Sequence, residues 1–199
     1  MVLIPLFPLS TVLYPNTLLP LFIFEKRYRI MVERCISSNS SFGIALIKRG
    51  MEVGGPAEPY SIGTEARIVA KQRLRGGCYN VVVKGEKKFE IIWIDYSEPY
   101  LQAEIKWVDE KIEEGEEEKR LKSVVQSLFR KYLALLEKLG VCPLNEGVHE
   151  LDPTNYSYVV ADVLQLDPRE KQRLLEANST SERLKMEIEY LVTLLDESI

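Results

Sequence analysis

The first 24 residues carry no charged side chain, yet prolines stand at positions 5, 8, 15 and 20. An apolar run of that length invites a reading as a membrane helix or a signal peptide, and the prolines argue against both. Each interior proline removes a helix hydrogen bond and clashes with the preceding turn, at about 3 kcal/mol. Four of them leave no helix whose backbone could be satisfied in lipid. No basic stretch precedes the apolar run, as a secretory signal requires. The segment instead reads as short buried strands, Val2–Leu6, Thr11–Leu13 and Leu18–Phe24, with a turn at Tyr14-Pro15-Asn16-Thr17. The expectation is a soluble protein with no membrane partner.

Helical periodicity starts at Glu25. Tyr28, Met31, Val32 and Cys35 recur at the spacing of one helix face, while Lys26, Arg27, Arg29, Glu33 and Arg34 point elsewhere. About three turns of amphipathic helix follow, ending in the polar run Ser37–Ser41. Strand signals then return at Phe42–Ile47, Ile62–Leu74, Cys78–Val83, Phe89–Ile94 and Tyr100–Val108. Arg75-Gly76-Gly77 reads as a hairpin loop, because glycine reaches positive φ without penalty, and Gly85-Glu86 reads as a second hairpin. Many short strands with one helix, joined by tight turns, predict a closed or half-closed antiparallel barrel, which also removes exposed sheet edges.

Composition changes near residue 109. Residues 1–108 carry 14 Lys/Arg and 10 Asp/Glu, net +4; residues 109–199 carry 12 and 20, net −8, which together give the chain's net charge of −4. Glycine, proline and β-branched residues give way to Leu, Glu, Lys and Arg. Leu121, Val125, Leu128, Tyr132, Leu135 and Leu139 form a helical seam, with Phe129, Leu133 and Leu136 as a second apolar strip, and Gly140 stops the helix. Asp152-Pro153 and Asp167-Pro168 each place a capping acid before a proline suited to the first helical turn. A last helix over Ser181–Glu197 carries Leu184, Ile188, Leu191 and Leu195. The fold class expected is therefore α+β, with a β-barrel domain over 1–110 and an α-helical bundle over 111–199.

The chemistry motifs are notable for what is missing. There is no GxxxxGK[ST] phosphate loop, GxGxxG turn, GxSxG elbow, HExxH pair or EF-hand loop. Cys35, Cys78 and Cys142 share no metal-binding spacing, and the single histidine, His149, has no neighbouring cysteine. Three scattered cysteines suit reduced thiols in the cytoplasm. The acidic run Glu113–Glu118 lacks the spaced oxygens of a calcium loop and reads as a solvated face. No catalytic residue, metal or cofactor is expected.

Two surfaces are candidates for binding. Leu9, Tyr14, Leu18, Leu19, Leu21 and Phe22 are more apolar side chains than one small core can hold, so their surplus would line a groove for a polypeptide. Phe24 and Tyr28 are assigned to the core. The alternative is an RNA-binding face. Arg67, Lys71, Arg73 and Arg75 have the same strand parity, with Lys84, Lys87 and Lys88 nearby, a stripe able to track phosphates. Few aromatics interleave with it, only Tyr79 and Phe89 being close.

The residues Ile4-Pro5-Leu6-Phe7-Pro8-Leu9, Val12-Leu13-Tyr14-Pro15 and Leu19-Pro20-Leu21-Phe22-Ile23-Phe24-Glu25-Lys26-Arg27-Tyr28 closely resemble the opening of the Lon protease N-terminal domain. The resemblance continues through Phe42-Gly43-Ile44-Ala45-Leu46-Ile47, Ile62-Gly63-Thr64-Glu65-Ala66, Val83-Lys84-Gly85 and Pro99-Tyr100-Leu101-Gln102-Ala103-Glu104. It reaches the helical half at Lys171–Glu176 and Glu182-Arg183-Leu184. It implies a PUA-like pseudo-barrel followed by a helical bundle, in a region that recognises substrates. Its partners would be unfolded polypeptide or a specific protein, and a dimer is compatible with it. The 199 residues span nothing like Lon's ATPase and Ser-Lys protease modules, so the expectation is a non-enzymatic recognition module, an adaptor in protein quality control.

Overall fold

The computed structural model describes residues 2–55, 57–110, 115–140 and 150–196. Cys142, His149, Glu113 and Glu114 lie outside them. The chain divides into two compact units, Met1–Asp109 and Glu110–Ile199.

The first unit holds β1 (Val2–Leu9), β2 (Leu18–Ile23), α1 (Lys26–Ser38), β3 (Phe42–Gly50), β4 (Ala57–Pro59), β5 (Ile62–Arg73), β6 (Tyr79–Asp95) and β7 (Leu101–Val108). Neighbouring strands run β1-β7-β6-β5-β3, and a parallel pairing of Leu6–Leu9 with Gly43–Leu46 joins β3 back to β1 and closes the ring. β2 lies outside the ring, antiparallel to the first half of β6, whose second half pairs with β7. β4 pairs with the end of β3. α1 buries Tyr28, Met31, Val32 and Cys35, the four periodic residues, against a core that includes Phe7, Phe42, Val81 and Val83. A second cluster of Ile4, Leu6, Phe89, Ala103 and Ile105 fills the other end.

The ring closes through one parallel pair and carries a short β4 that the sequence expectation lacks, and the barrel departs from that expectation in three further places. Thr11–Leu13 forms no strand; Val12 and Leu13 are buried in an irregular connection. β6 runs unbroken through Gly85-Glu86, so there is one long strand where two with a hairpin were expected. Phe24 is 46% exposed, because the outward positions of β2 are the even ones and Phe24 continues their alternation. The Arg75–Gly77 turn does join β5 to β6, with Gly76 and Gly77 at φ 83° and 78°.

The second unit contains α2 (Glu116–Lys138), α3 (Pro153–Val163), α4 (Pro168–Glu176) and α5 (Thr180–Asp196). Asp152 and Asp167 cap α3 and α4, accepting from the backbone N–H of Asn155 (3.0 Å) and Arg169 (2.9 Å). The buried stripe of α2 is Val125, Phe129, Tyr132 and Leu136, so Phe129 and Leu136 belong to the central seam, while Leu139 is exposed. The Tyr132 hydroxyl accepts from the Gln165 N–H at 3.0 Å, binding α2 to the chain beyond α3. No helix among the described residues is long and apolar enough to cross a membrane.

Candidate functional site

Cross-strand partners share a face of the sheet, so the register fixes which side chains meet on the outside of β2, β6 and β5. Three rows result: Leu18, Lys84 and Arg67; Pro20, Val82 and Ala70; Phe22, Asn80 and Gln72. The intervening rows, built on Leu19 with Val83 and Leu21 with Val81, face the core. β2 is therefore apolar on both faces, which is why this stretch lacks charge. Its outer members are the accessible ones, with Leu18 59% and Phe22 56% exposed.

A groove of about 470 Å³ runs over this outer face, lined by Pro20, Phe22, Ala70, Asn80 and Val82 among others. A smaller cavity of about 130 Å³ adjoins it across Phe22, with Phe24, Val53 and Glu52 on its rim. The Phe22 and Phe24 rings stack at 5.7 Å between centroids. Tyr28 also borders the smaller cavity, and burial pushes its phenol up to about 12, so it is neutral there. The outer edge of β2 is interrupted as a hydrogen-bonding ladder. Gly85 N–H donates to the Thr17 carbonyl at 3.0 Å, so by alternation the odd positions turn their backbone groups to β6. Pro20, an even position, then turns its missing donor to the edge that no strand among the described residues joins, where proline is tolerated.

Of the six apolar candidates, Leu18 and Phe22 lie on the groove face. Leu19 and Leu21 are half-buried and pack on the core, with Leu21 reaching the groove floor. Leu9 is only 3% exposed and forms the floor of the smaller cavity. Tyr14 is fully buried and leaves the candidate surface. The residues not anticipated are Phe24, Val53, Ala70 and Val82. The alternation of β2 extended by one step would have found Phe24.

The basic stripe does not exist as a stripe. Strict alternation would put Arg67, Lys71 and Arg73 together, but the register shifts between Ile68 and Ala70, leaving Val69 as an extra residue. Arg67 therefore shares the outer face with Ala70 and Gln72, while Lys71 and Arg73 share the opposite face with Val81 and Tyr79. Arg75 lies in the turn. Arg67 pairs with Glu86 at 3.3 Å and Arg73 with Glu33 of α1 at 3.7 Å. Among the described residues, no group of three His, Cys, Asp or Glu could hold a metal ion.

Residues 3–193 match the model of the ATP-dependent protease La (LON) substrate-binding domain. The chain belongs to the Lon substrate-binding domain family. A Lon protease of Dictyoglomus thermophilum is 28% identical over 194 residues, which cover 97% of this chain and 24% of that protein. A Lon protease of Brevibacillus choshinensis is 30% identical over 196 residues, again 97% of this chain and 24% of the relative. The chain thus spans about a quarter of the length of these Lon relatives. The N-terminal domain of a Mycobacterium avium complex Lon protease has the same fold, with a TM-score of 0.74 at 23% identity, over 96% of this chain and 98% of that one. So does a Lon N-terminal domain protein from Xanthomonas campestris, with a TM-score of 0.70 at 24% identity and 98% coverage of both chains.

Proposed function

We propose that this Lon-family domain is a non-catalytic recognition module that captures apolar segments of polypeptide on the outer face of β2, as an adaptor in protein quality control. The observation that carries the reading is the row Leu18, Pro20, Phe22 and Phe24, apolar side chains held outward by a strand whose inner face already fills the core. Solvent-exposed apolar rows of this kind mark interaction surfaces in soluble domains. The family's role in substrate binding gives the same direction. A reducing, cytoplasmic setting suits Cys35 and Cys78, both free thiols. The RNA reading has less support, since its basic residues are divided between two faces and two of them face glutamates.

The test uses the whole chain and a fluorescently labelled, reduced and alkylated model protein that cannot fold. The double variant Phe22→Ser/Phe24→Ser should weaken capture at least about tenfold, which corresponds to about 1.4 kcal/mol. Trp93→Ser, at an exposed apolar position on the far part of β6, should leave it unchanged. Capture should also vary little between low and high salt, unlike phosphate-tracking binding. Equal affinity of the double variant and wild type would defeat the proposal.

A further inference from the structure

The inward face of α5 is not the apolar seam that its leucines suggest. Arg183 and Glu187 are completely buried on it, one helical turn apart, beside Leu184 and Leu191. Arg183 Nη2 lies 2.7 Å from Glu110 Oε1, and its Nε donates to the Ser157 hydroxyl at 2.8 Å. Its guanidinium carbon stands 3.8 Å from the centre of the Tyr158 ring. The Tyr158 hydroxyl donates to the second Glu110 oxygen, and Thr180 adds a longer bond of 3.4 Å to the first. Ser157 in turn donates to Glu187 Oε1 at 2.5 Å. Arg183 Nη2 is satisfied by its ion pair with Glu110, which leaves two atoms of the cluster with neither a hydrogen bond nor an ion pair among the described residues. Arg183 Nη1 and Glu187 Oε2 are both buried without a hydrogen-bond partner among the described residues.

One guanidinium thus stands between two carboxyl groups, paired with Glu110 and linked to Glu187 only through Ser157, with one spare donor and one spare acceptor on the same helix face. We infer that Arg183 is a two-position group: it holds Glu110 while Glu187 is protonated, and turns Nη1 onto Glu187 when that carboxyl loses its proton. Proton release would then loosen the hold of α5 and Tyr158 on Glu110, which lies two residues beyond the end of β7 in sequence.

Charge balance supports the resting arrangement. A buried guanidinium with one ionised carboxylate is neutral as a pair, whereas a second buried carboxylate would be an uncompensated charge. Residues four apart on a helix are neighbours, so a side-chain rotation brings Arg183 to Glu187 without moving the backbone. Burial raises the Glu187 carboxyl to about 8, opposed by the Ser157 hydrogen bond and by Arg183. The elements packed against α5 are α2, α3 and α4. α3 presents Ser157, Tyr156 and Tyr158, and Tyr156 is itself raised by burial and by Glu187. α4 contributes the buried neutral Gln172, and its Lys171 is coupled to Asp162 of α3. α2 carries Glu118, bonded to Ser181, and Arg130, which acts on Tyr156. Among the described residues, Arg183 is the one charge that bears directly on Glu187. A carboxyl raised on folding stabilises the native state fully below its unfolded value near 4.3, and that contribution is lost as pH rises through about 8.

The experiment follows the whole chain from pH 6 to 9 by NMR of side-chain carboxyl carbons and by hydrogen exchange corrected for the intrinsic pH effect. Glu187 should titrate near 8, and protection of the peptide containing Glu110 should fall about tenfold through the same midpoint. Glu187→Gln, which keeps the shape and cannot ionise, should abolish the fall. Titration of Glu187 between about 4 and 5, or an equal loss of protection in Glu187→Gln, would overturn the inference. The carboxyl titration is read on wild type, so the outcome stands even where the variant folds poorly.

Discussion

Gly85→Ala should be far more damaging than its place in a strand suggests. Gly85 sits mid-strand in β6 and is absent from the left-handed glycines, so backbone freedom is not what requires it. A Cβ there would lie 2.1 Å from the Tyr14 carbonyl oxygen, 2.9 Å from its carbon and 3.2 Å from Thr64 Cγ2. Relief requires the Tyr14–Thr17 turn to withdraw by about 1 Å. That movement breaks the bonds from Asn16 N–H to the Gly85 carbonyl (2.8 Å) and from Gly85 N–H to the Thr17 carbonyl (3.0 Å), and strains the Thr64 hydroxyl bond to the Leu13 carbonyl (2.6 Å). Two bonds at about 1 kcal/mol each and an overpacking strain of about 1–3 kcal/mol give about 3–5 kcal/mol. Gly76→Ala is the control: its φ is +83° with nothing within 4 Å, so its cost is the left-handed backbone alone, about 1–2 kcal/mol. Both tryptophans, Trp93 and Trp107, belong to the barrel, so their fluorescence in urea follows this unit. With a slope of about 2 kcal/mol/M, the Gly85→Ala midpoint should drop by about 1.5–2.5 M. A drop no larger than that of Gly76→Ala would refute the close-contact argument.

Two further outcomes follow from the side chains. Asp152→Ala removes the acceptor for the Asn155 N–H at the start of α3 and should lower the helical unit's stability by about 1 kcal/mol, read by circular dichroism at increasing urea. Burial raises the Cys35 thiol, whereas Cys78 is only half-buried, so native alkylation mapped by mass spectrometry should label Cys78 ahead of Cys35; equal labelling of the two would contradict the packing of Cys35 under the sheet.

Features with a local chemical signature were legible in the sequence. The Asp-Pro pairs at 152 and 167 announce their helices because cap and fixed φ act within four residues. The Gly76-Gly77 turn announces itself because only glycine reaches its φ cheaply. Long-range features were not. Nothing around Val69 marks it as the extra residue of a bulge, so parity counting carried Lys71 and Arg73 to the wrong side of Arg67. Gly85 imitates a turn glycine because the atom that excludes its side chain, the Tyr14 oxygen, is 71 positions away. On β2, the excess of apolar residues pointed to an exposed row, but the alternation that separates Leu18 and Phe22 from Leu19 and Leu21 became readable only with the β6 register. The burial of Arg183 and Glu187 has no local mark in sequence, because a helical seam traced through leucines gives no reason to bury a charge beside them.

The closure of the barrel sets an order in time. β1 is pinned between β3 and β7, with Val2 opposite Ile105 across 103 positions of sequence. At about 5–20 residues per second, the ribosome delivers β7 roughly 5–20 s after β1. Through that interval Val2–Leu9 is an apolar strand with no second edge to join, and its early partner β3 can hold it on one side only. The growing chain therefore passes through a stage when it offers a nascent sticky strand of the same chemistry that the finished protein is proposed to capture. Slowing synthesis before residue 101 should raise its aggregation, while slowing it once β7 has emerged from the ribosome should not.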